Sequence, residues 1–246
     1  MNPSAIDNVI YTFTRNVVGP MDYTPLTFSA AYRIHRIPYA HSLALSVVFE
    51  CGVQHWADRA DSNPHEGYRK LFADFPFVRE FLRVLPTVWD DTVLISGHPS
   101  IQVTLARRHG EDWWVATAAA TTKFPTTFNH ALSFMGEDNL FEYQAIMEGK
   151  DAESLVESKG VYTTKLNGTF YARVLPQSGF VAHFRYLKKV ALPVSSSLVD
   201  NTASSVSSFS LAGDGGIGVT FKLLLLFLAV AALVYFSKAE RRRKLR

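Results

Sequence analysis

A chain of 246 residues, 48% hydrophobic and 19% charged, carries enough apolar material for a sizeable folded body and is not the composition of a disordered protein. Its net charge of +3 is set by a cluster at one end. Six of the 25 Lys and Arg residues (Lys238, Arg241, Arg242, Arg243, Lys244 and Arg246) close the chain, which leaves the rest slightly acidic and excludes a basic nucleic-acid-binding surface.

Residues 1–86 show helical patterns and read as α/β. Asn16–Val18 reads as a short strand running into the turn-rich segment GPMDYTP. His41–Phe49 (HSLALSVVF) is helical or strand-like, and periodicity alone leaves both open. Val53–Ala57 reads as a brief buried strand that ends at Asp58. Phe77, Val78, Phe81, Leu82 and Leu85 then share one face of an amphipathic helix. Strand followed by helix, twice over, suggests parallel βα units.

Composition changes near Pro86, and residues 87–190 alternate in the manner of a small antiparallel β-sandwich. Ile101, Val103 and Leu105 lie on one face of a strand over Ser100–Arg107, HGED (His109–Asp112) is a turn, and Trp113–Ala119 is the returning strand. Adjacent Trp113 and Trp114 face opposite sides, which favours core and interdomain packing for the pair. Further strands are expected at Thr126–Leu132, Phe141–Met147, Thr169–Val174 and Phe180–Phe184, and Asn167-Gly168 is a hairpin signal. Asn167-Gly168-Thr169 is also a glycosylation acceptor if this part of the chain is lumenal.

A Ser/Gly-rich stalk (191–216) precedes an uncharged run from Leu223 to Phe236. Extended back to Ile217, with Lys222 able to snorkel, that run reaches about 20 residues, the length of a helix that crosses a bilayer of roughly 30 Å. The sequence therefore predicts a single transmembrane helix over 217–236 and a basic tail over 237–246, with the lipid bilayer as a partner. Positive-inside logic puts the tail in the cytosol and the body outside it. Residues 1–20 show no secretory signal, so two topologies stand. The body is lumenal or extracellular if a signal lies upstream, and cytosolic with a tail anchor if Met1 is the start. Cys51 is the lone cysteine and forms no internal disulfide, so redox compartment does not decide between them.

Three segments carry a family resemblance. FTRNVVGPMDYTPLTF (13–28), HSLALSVVFECGVQHWAD (41–58) and LPTVWDDT (85–92) together resemble the C-terminal part of glycoside hydrolase family 97, which contains α-glucosidases and α-galactosidases. GHPS (97–100), ARRHGEDWWVA (106–116) and GFVAHF (179–184) resemble its terminal β domain. The resemblance implies the last βα units of an incomplete (β/α)8 barrel over 1–86, with Asn16–Asp22 as strand seven, Val53–Asp58 as strand eight and Phe72–Leu85 as the last helix. A β-sandwich over 87–190 would follow, associated with packing and oligomer contacts. It also implies an α-linked saccharide as the substrate of the full enzyme, and calcium in many members.

Such an enzyme needs two carboxyl groups flanking the glycosidic bond. The family's His-Glu step and Glu-Gly-Val-Arg-Gly-x-Glu motif are not in this sequence, so no catalytic acid, base or calcium ligand is carried over. Asp22, Tyr23, His55, Trp56 and Asp58 fall where the resemblance puts barrel strand ends, and are the candidates for lining a sugar pocket. Asp22, beside Pro20 and Pro25, and Asp58 are equally suited to tying down their own turns. Trp56 suits either stacking on a sugar or barrel packing. His41 heads a segment that commonly reads His-Glu-Leu-Ala in the family, with Ser42 here in place of Glu, and no HxxxH or HExxH spacing marks a metal site. Two βα units cannot close a barrel, so apolar surface around Phe13, Val17, Val18 and Leu45 is expected to be open. The sequence is thus expected to be part of a larger membrane-bound α-glycosidase. The alternative is a non-catalytic, membrane-tethered carbohydrate-binding or interaction module, with Trp56 or Trp114 holding the sugar.

Overall fold

A computed structural model describes residues 3–22, 28, 37–55, 67–121, 126–165 and 168–190. The segment 217–236 and the basic tail lie outside the described residues, as do Tyr23, Trp56, Asp58 and Asn167. No helix among the described residues is long and apolar enough to cross a membrane.

Among the described residues five helices come first: α1 (Ala5–Phe13), α2 (Arg15–Val18), α3 (Tyr39–Val48), α4 (Gly67–Asp74) and α5 (Pro76–Val84). A capping box starts α1. The Ser4 hydroxyl accepts from the Asp7 N–H at 3.3 Å, while the Asp7 carboxylate accepts from the Ser4 N–H at 2.8 Å. Two of the four buried residues of α1, Asn8 and Thr12, are polar, which blurs its apolar stripe in the sequence. Residues 40–48 of α3 are all buried. A helix apolar on every side has no period to read, hence its ambiguity in the sequence. Phe75, ahead of Pro76, leaves the helical conformation (φ −135°, ψ 71°), and this divides the single helix expected over 72–85 into α4 and α5.

The expected strand at Asn16–Val18 is instead the helical turn α2, with Val17 75% and Val18 86% exposed. Val53 is not in a strand and is also exposed. Among the described residues of 1–86 there is no β-strand, so the parallel βα reading of this part is not what the chain forms there. The expectation of open apolar surface holds for Val17 and Val18, but Leu45 is fully buried.

Eight strands follow: β1 (Asp91–His98), β2 (Gln102–His109), β3 (Asp112–Ala119), β4 (Thr126–Ala131), β5 (Asn139–Glu148), β6 (Leu155–Thr163), β7 (Thr169–Val174) and β8 (Gly179–Lys189). They form an antiparallel six-stranded sheet in the order β1-β2-β3-β8-β5-β6, and a two-stranded sheet β4-β7. Consecutive β6 and β7 belong to different sheets. β6 and β7 therefore do not pair with each other as the hairpin expected at Asn167-Gly168 requires. β1 and β6 had no counterpart among the expected strands.

The large sheet is buried on both faces. Phe128, Phe141, Tyr162, Phe170, Phe180 and Phe184 fill the space between it and β4-β7, with Trp113 on this side. Its other face, through Val103, Leu105, Trp114, Ala116, Ile146 and Val181, packs against Val9, Leu43, Val47, Val78 and Phe81 of the helices. Helices and strands thus share a core across the division at residue 86, within one compact unit spanning Met1–Pro193. Where α3 crosses β8, Gly179 makes the contact possible. A Cβ there would lie 2.3 Å from the Thr117 carbonyl oxygen and 3.0 Å from the Ala44 Cβ.

Candidate interaction surfaces

The helix-facing side of the large sheet changes character along its strands. Its apolar half is roofed by α3, and the other half carries Asp112, Glu142, Gln144, Glu157, Lys159, His183 and Arg185, placed there by the period-two alternation of β3, β5, β6 and β8. With Glu80 and Val84 of α5, several of them line an open pocket of about 340 Å³. The Gln144 side-chain amide donates to Glu157 at 2.7 Å and to the Phe77 carbonyl at 3.3 Å. Lys159 bridges Glu157 at 2.9 Å and Glu80 at 3.5 Å, while Arg185 is ion-paired with Glu142. Both cations of the pocket are already matched by carboxylates, which makes it a tie between α5 and the sheet rather than a cradle for an anionic ligand. These pairs are exposed, and solvent and salt screen them.

Asp112 anchors the inner edge of this patch. Its carboxylate accepts from the Tyr186 N–H at 2.8 Å and pairs with His183 Nε2 at 3.0 Å. Burial pushes the Asp112 carboxyl up, but these hydrogen bonds together outweigh it and hold the group below its ordinary value. His183 in turn stacks on Trp114, with ring centroids 4.4 Å apart and planes 13° from parallel. Trp114 is 3% exposed and also packs edge-on against Trp89. Its face is therefore occupied and is not free to stack on a sugar, contrary to the alternative reading that used it.

Two further polar groups lie deeper. Arg107 donates to the Val48 carbonyl at 3.0 Å and to the Thr92 hydroxyl at 3.1 Å, with Glu50 3.6 Å away. It joins the C-terminal end of α3 to β1 and β2, where a cation suits the helix dipole. His41, fully buried in α3, bonds through Nδ1 to the Gln177 carbonyl at 2.9 Å and through Nε2 to the Asn8 side-chain amide at 3.2 Å. Since a carbonyl only accepts, Nδ1 carries the proton and Nε2 accepts from Asn8. Burial lowers the His41 pKa to about 4 despite the raising effect of the Gln177 hydrogen bond, and the ring is neutral at physiological pH.

The sequence-derived site candidates divide. Asp22 is exposed and lines a shallow groove with Tyr11, Thr14, Arg15, Val18 and Met21. His55 is also exposed. Tyr23, Trp56 and Asp58 lie outside the described residues. The carboxyl groups with a definite shift, Asp7, Asp112 and Glu142, are all held below their ordinary values. A glycosidic acid needs the opposite. No group of three His, Cys, Asp or Glu side chains among the described residues is placed to hold a metal ion, so they do not fit the calcium associated with the family.

Comparison with known proteins fits this architecture. Residues 88–185 match the family described as glycosyl-hydrolase 97 C-terminal, oligomerisation. The layered β domain is thus a C-terminal module of a glycoside hydrolase. A probable retaining alpha-galactosidase of Streptomyces bingchenggensis (strain BCW-1) is 34% identical over 152 residues, covering 58% of this chain and 22% of that protein. A retaining alpha-galactosidase of Bacteroides thetaiotaomicron is 30% identical over 118 residues, covering 44% of this chain and 16% of that protein. These matches support the C-terminal part of a glycoside hydrolase family 97 protein over residues 88–185, and the chain spans about a fifth of the length of these relatives. The fold is shared with a family 97 enzyme from Pseudoalteromonas sp. strain K8 in complex with panose. Its TM-score is 0.63 at 22% identity, over 75% of this chain and 29% of that one. A beta-arabinopyranosidase aligns with a TM-score of 0.56 at 23% identity, over 73% and 27%.

Proposed function

We propose that this chain is the non-catalytic C-terminal portion of a membrane-anchored α-glycosidase acting on α-galactosides, and that its β layer serves assembly of that enzyme. The observation that carries the reading is the match of residues 88–185 to the family's C-terminal domain, alongside two relatives named as retaining alpha-galactosidases. The family's Glu-Gly-Val-Arg-Gly-x-Glu motif is not in the sequence, and the carboxylates with shifted pKa values are shifted in the direction that disfavours acid catalysis. The uncharged run over 217–236 and the basic residues after it support the anchor.

The test is hydrolysis of an aryl α-galactoside by the chain alone and by an N-terminally extended form that carries the barrel motifs. No turnover by the first and turnover by the second is expected. Activity of the chain alone would overturn the non-catalytic assignment, and an inactive but folded extended form would overturn the glycosidase. Alkaline extraction of membranes tests the anchor: the full chain stays in the pellet, and a form ending at residue 190 is released.

A further inference from the structure

The six-stranded sheet ends at β1 and β6, and the two edges are not alike. Pairing of β1 with β2 slips between Leu94 and Ser96. Such a bulge blunts an edge against further pairing. β6 runs in unbroken register with β5, from Leu155 opposite Glu148 to Thr163 opposite Leu140, and has no proline. Among the described residues nothing pairs with its outer side. Val156 and Val161 on this strand are 45% and 63% exposed. An edge nine residues long, without a bulge or a proline, is a template for another strand that can match its charges.

The order of side chains on β6 selects its partner. Glu157 and Lys159 flank Ser158 on the same face of the strand. A two-fold axis normal to the sheet through Ser158 pairs the strand antiparallel with a copy of itself. Glu157 then faces the partner's Lys159, and Lys159 the partner's Glu157. Moving the axis to residue 157 or 159 sets like charges against each other instead. The same register puts Val156 opposite the partner's Gly160. The Tyr143 ring overlies Gly160, where a Cβ would come within 2.9 Å of it, so the incoming valine meets an aromatic edge rather than a void.

We infer that β6 is a homodimer interface, joining two copies of this chain edge to edge about Ser158 into one continuous sheet. This deepens the assembly role proposed above and rests on it. The existing bridge between Glu157 and Lys159 becomes a four-charge ring across the axis.

The test uses the full chain in detergent, with molar mass measured by sedimentation across a concentration series. Wild type is expected to dimerise. Glu157→Lys and Lys159→Glu are each expected to weaken dimerisation by about tenfold or more, because like charges then stand opposite one another twice. The double exchange restores opposite pairs and should recover the dimer. Ser158→Cys should form a covalent dimer on mild oxidation, and Tyr171→Cys, exposed on β7, should not. A wild-type dimer indifferent to the charge exchanges and to Ser158→Cys would leave the assembly role standing and overturn the β6 interface. A monomer at every concentration would overturn both.

Discussion

His41 is the residue where burial and hydrogen bonding are most tightly linked, because three parts of the chain meet on one imidazole. With a folded-state pKa of about 4 against an ordinary 6.5, the unfolded chain takes up a proton first as pH falls. The sign follows: the stability contributed by the neutral ring is complete above about pH 6.5, declines below it, and is lost by about pH 4. The difference amounts to about 3 kcal/mol. Urea titrations at pH 7 and pH 4 should show that loss in the wild type beyond the contribution of other groups, and His41→Gln should remove most of it from this window. An unchanged pH dependence in the variant would mean that the ring does not titrate as described. His41 also shows the limit of reading a residue from sequence. Its position before Ser42 suggested only a weakened local role, whereas its partners are Asn8 and Gln177, 33 and 136 residues away.

At the scale of elements, α3 against β8 is the joint on which the helical layer depends. Gly179→Ala would drive a Cβ into the Thr117 carbonyl and the Ala44 methyl, and should cost about 1–3 kcal/mol in a thermal or urea melt. Gly97→Ala would bring a Cβ to 2.7 Å from the Phe13 ring tip and 3.0 Å from the Gln102 carbonyl oxygen, and makes a comparison in which the nearest atom belongs to a side chain. Element legibility followed solvent exposure. Strands β2, β3 and β8 were readable because they carry long apolar or alternating runs. β6 was not, because an edge strand with Glu157, Ser158, Lys159 and Gly160 in sequence looks like a turn. Asn16–Val18 misled in the other direction. Two β-branched valines suggest a strand, yet with no neighbouring strand to pair with among the described residues, the local chain closes a helical turn. Of the site candidates placed at barrel strand ends, Asp22 and His55 are exposed, and Tyr23, Trp56 and Asp58 lie outside the described residues.

Across the whole molecule, the large sheet has a core on each side, and this makes the helices part of the fold rather than an attachment to it. The sequence reads as a separate small β-sandwich over residues 87–190. Its helix-facing side, through Leu105, Trp114, Ala116, Ile146 and Val181, is instead buried under residues of 1–86. A fragment limited to residues 88–190 is therefore expected to bind a hydrophobic dye and to aggregate, while the form ending at residue 190 melts in a single transition. A soluble, cooperatively melting 88–190 fragment would show that the helical layer is dispensable. The same reasoning explains why the domain boundary was drawn near residue 86: the chain changes secondary structure there, but the core does not end there.

The two faces of β3 have an experimental use. Trp113 points into the sandwich against Phe134, and its sequence neighbour Trp114 points into the helical layer between Trp89 and His183. One peptide bond thus separates two natural fluorophores that report on different cores. His183 beneath Trp114 is a potential quencher whose distance changes as soon as the helices lift. With Trp56 and Trp89 replaced by phenylalanine, conservative replacement of either Trp113 or Trp114 would leave emission from the opposite side of the sheet, so the order in which the layers loosen can be followed without attaching a dye.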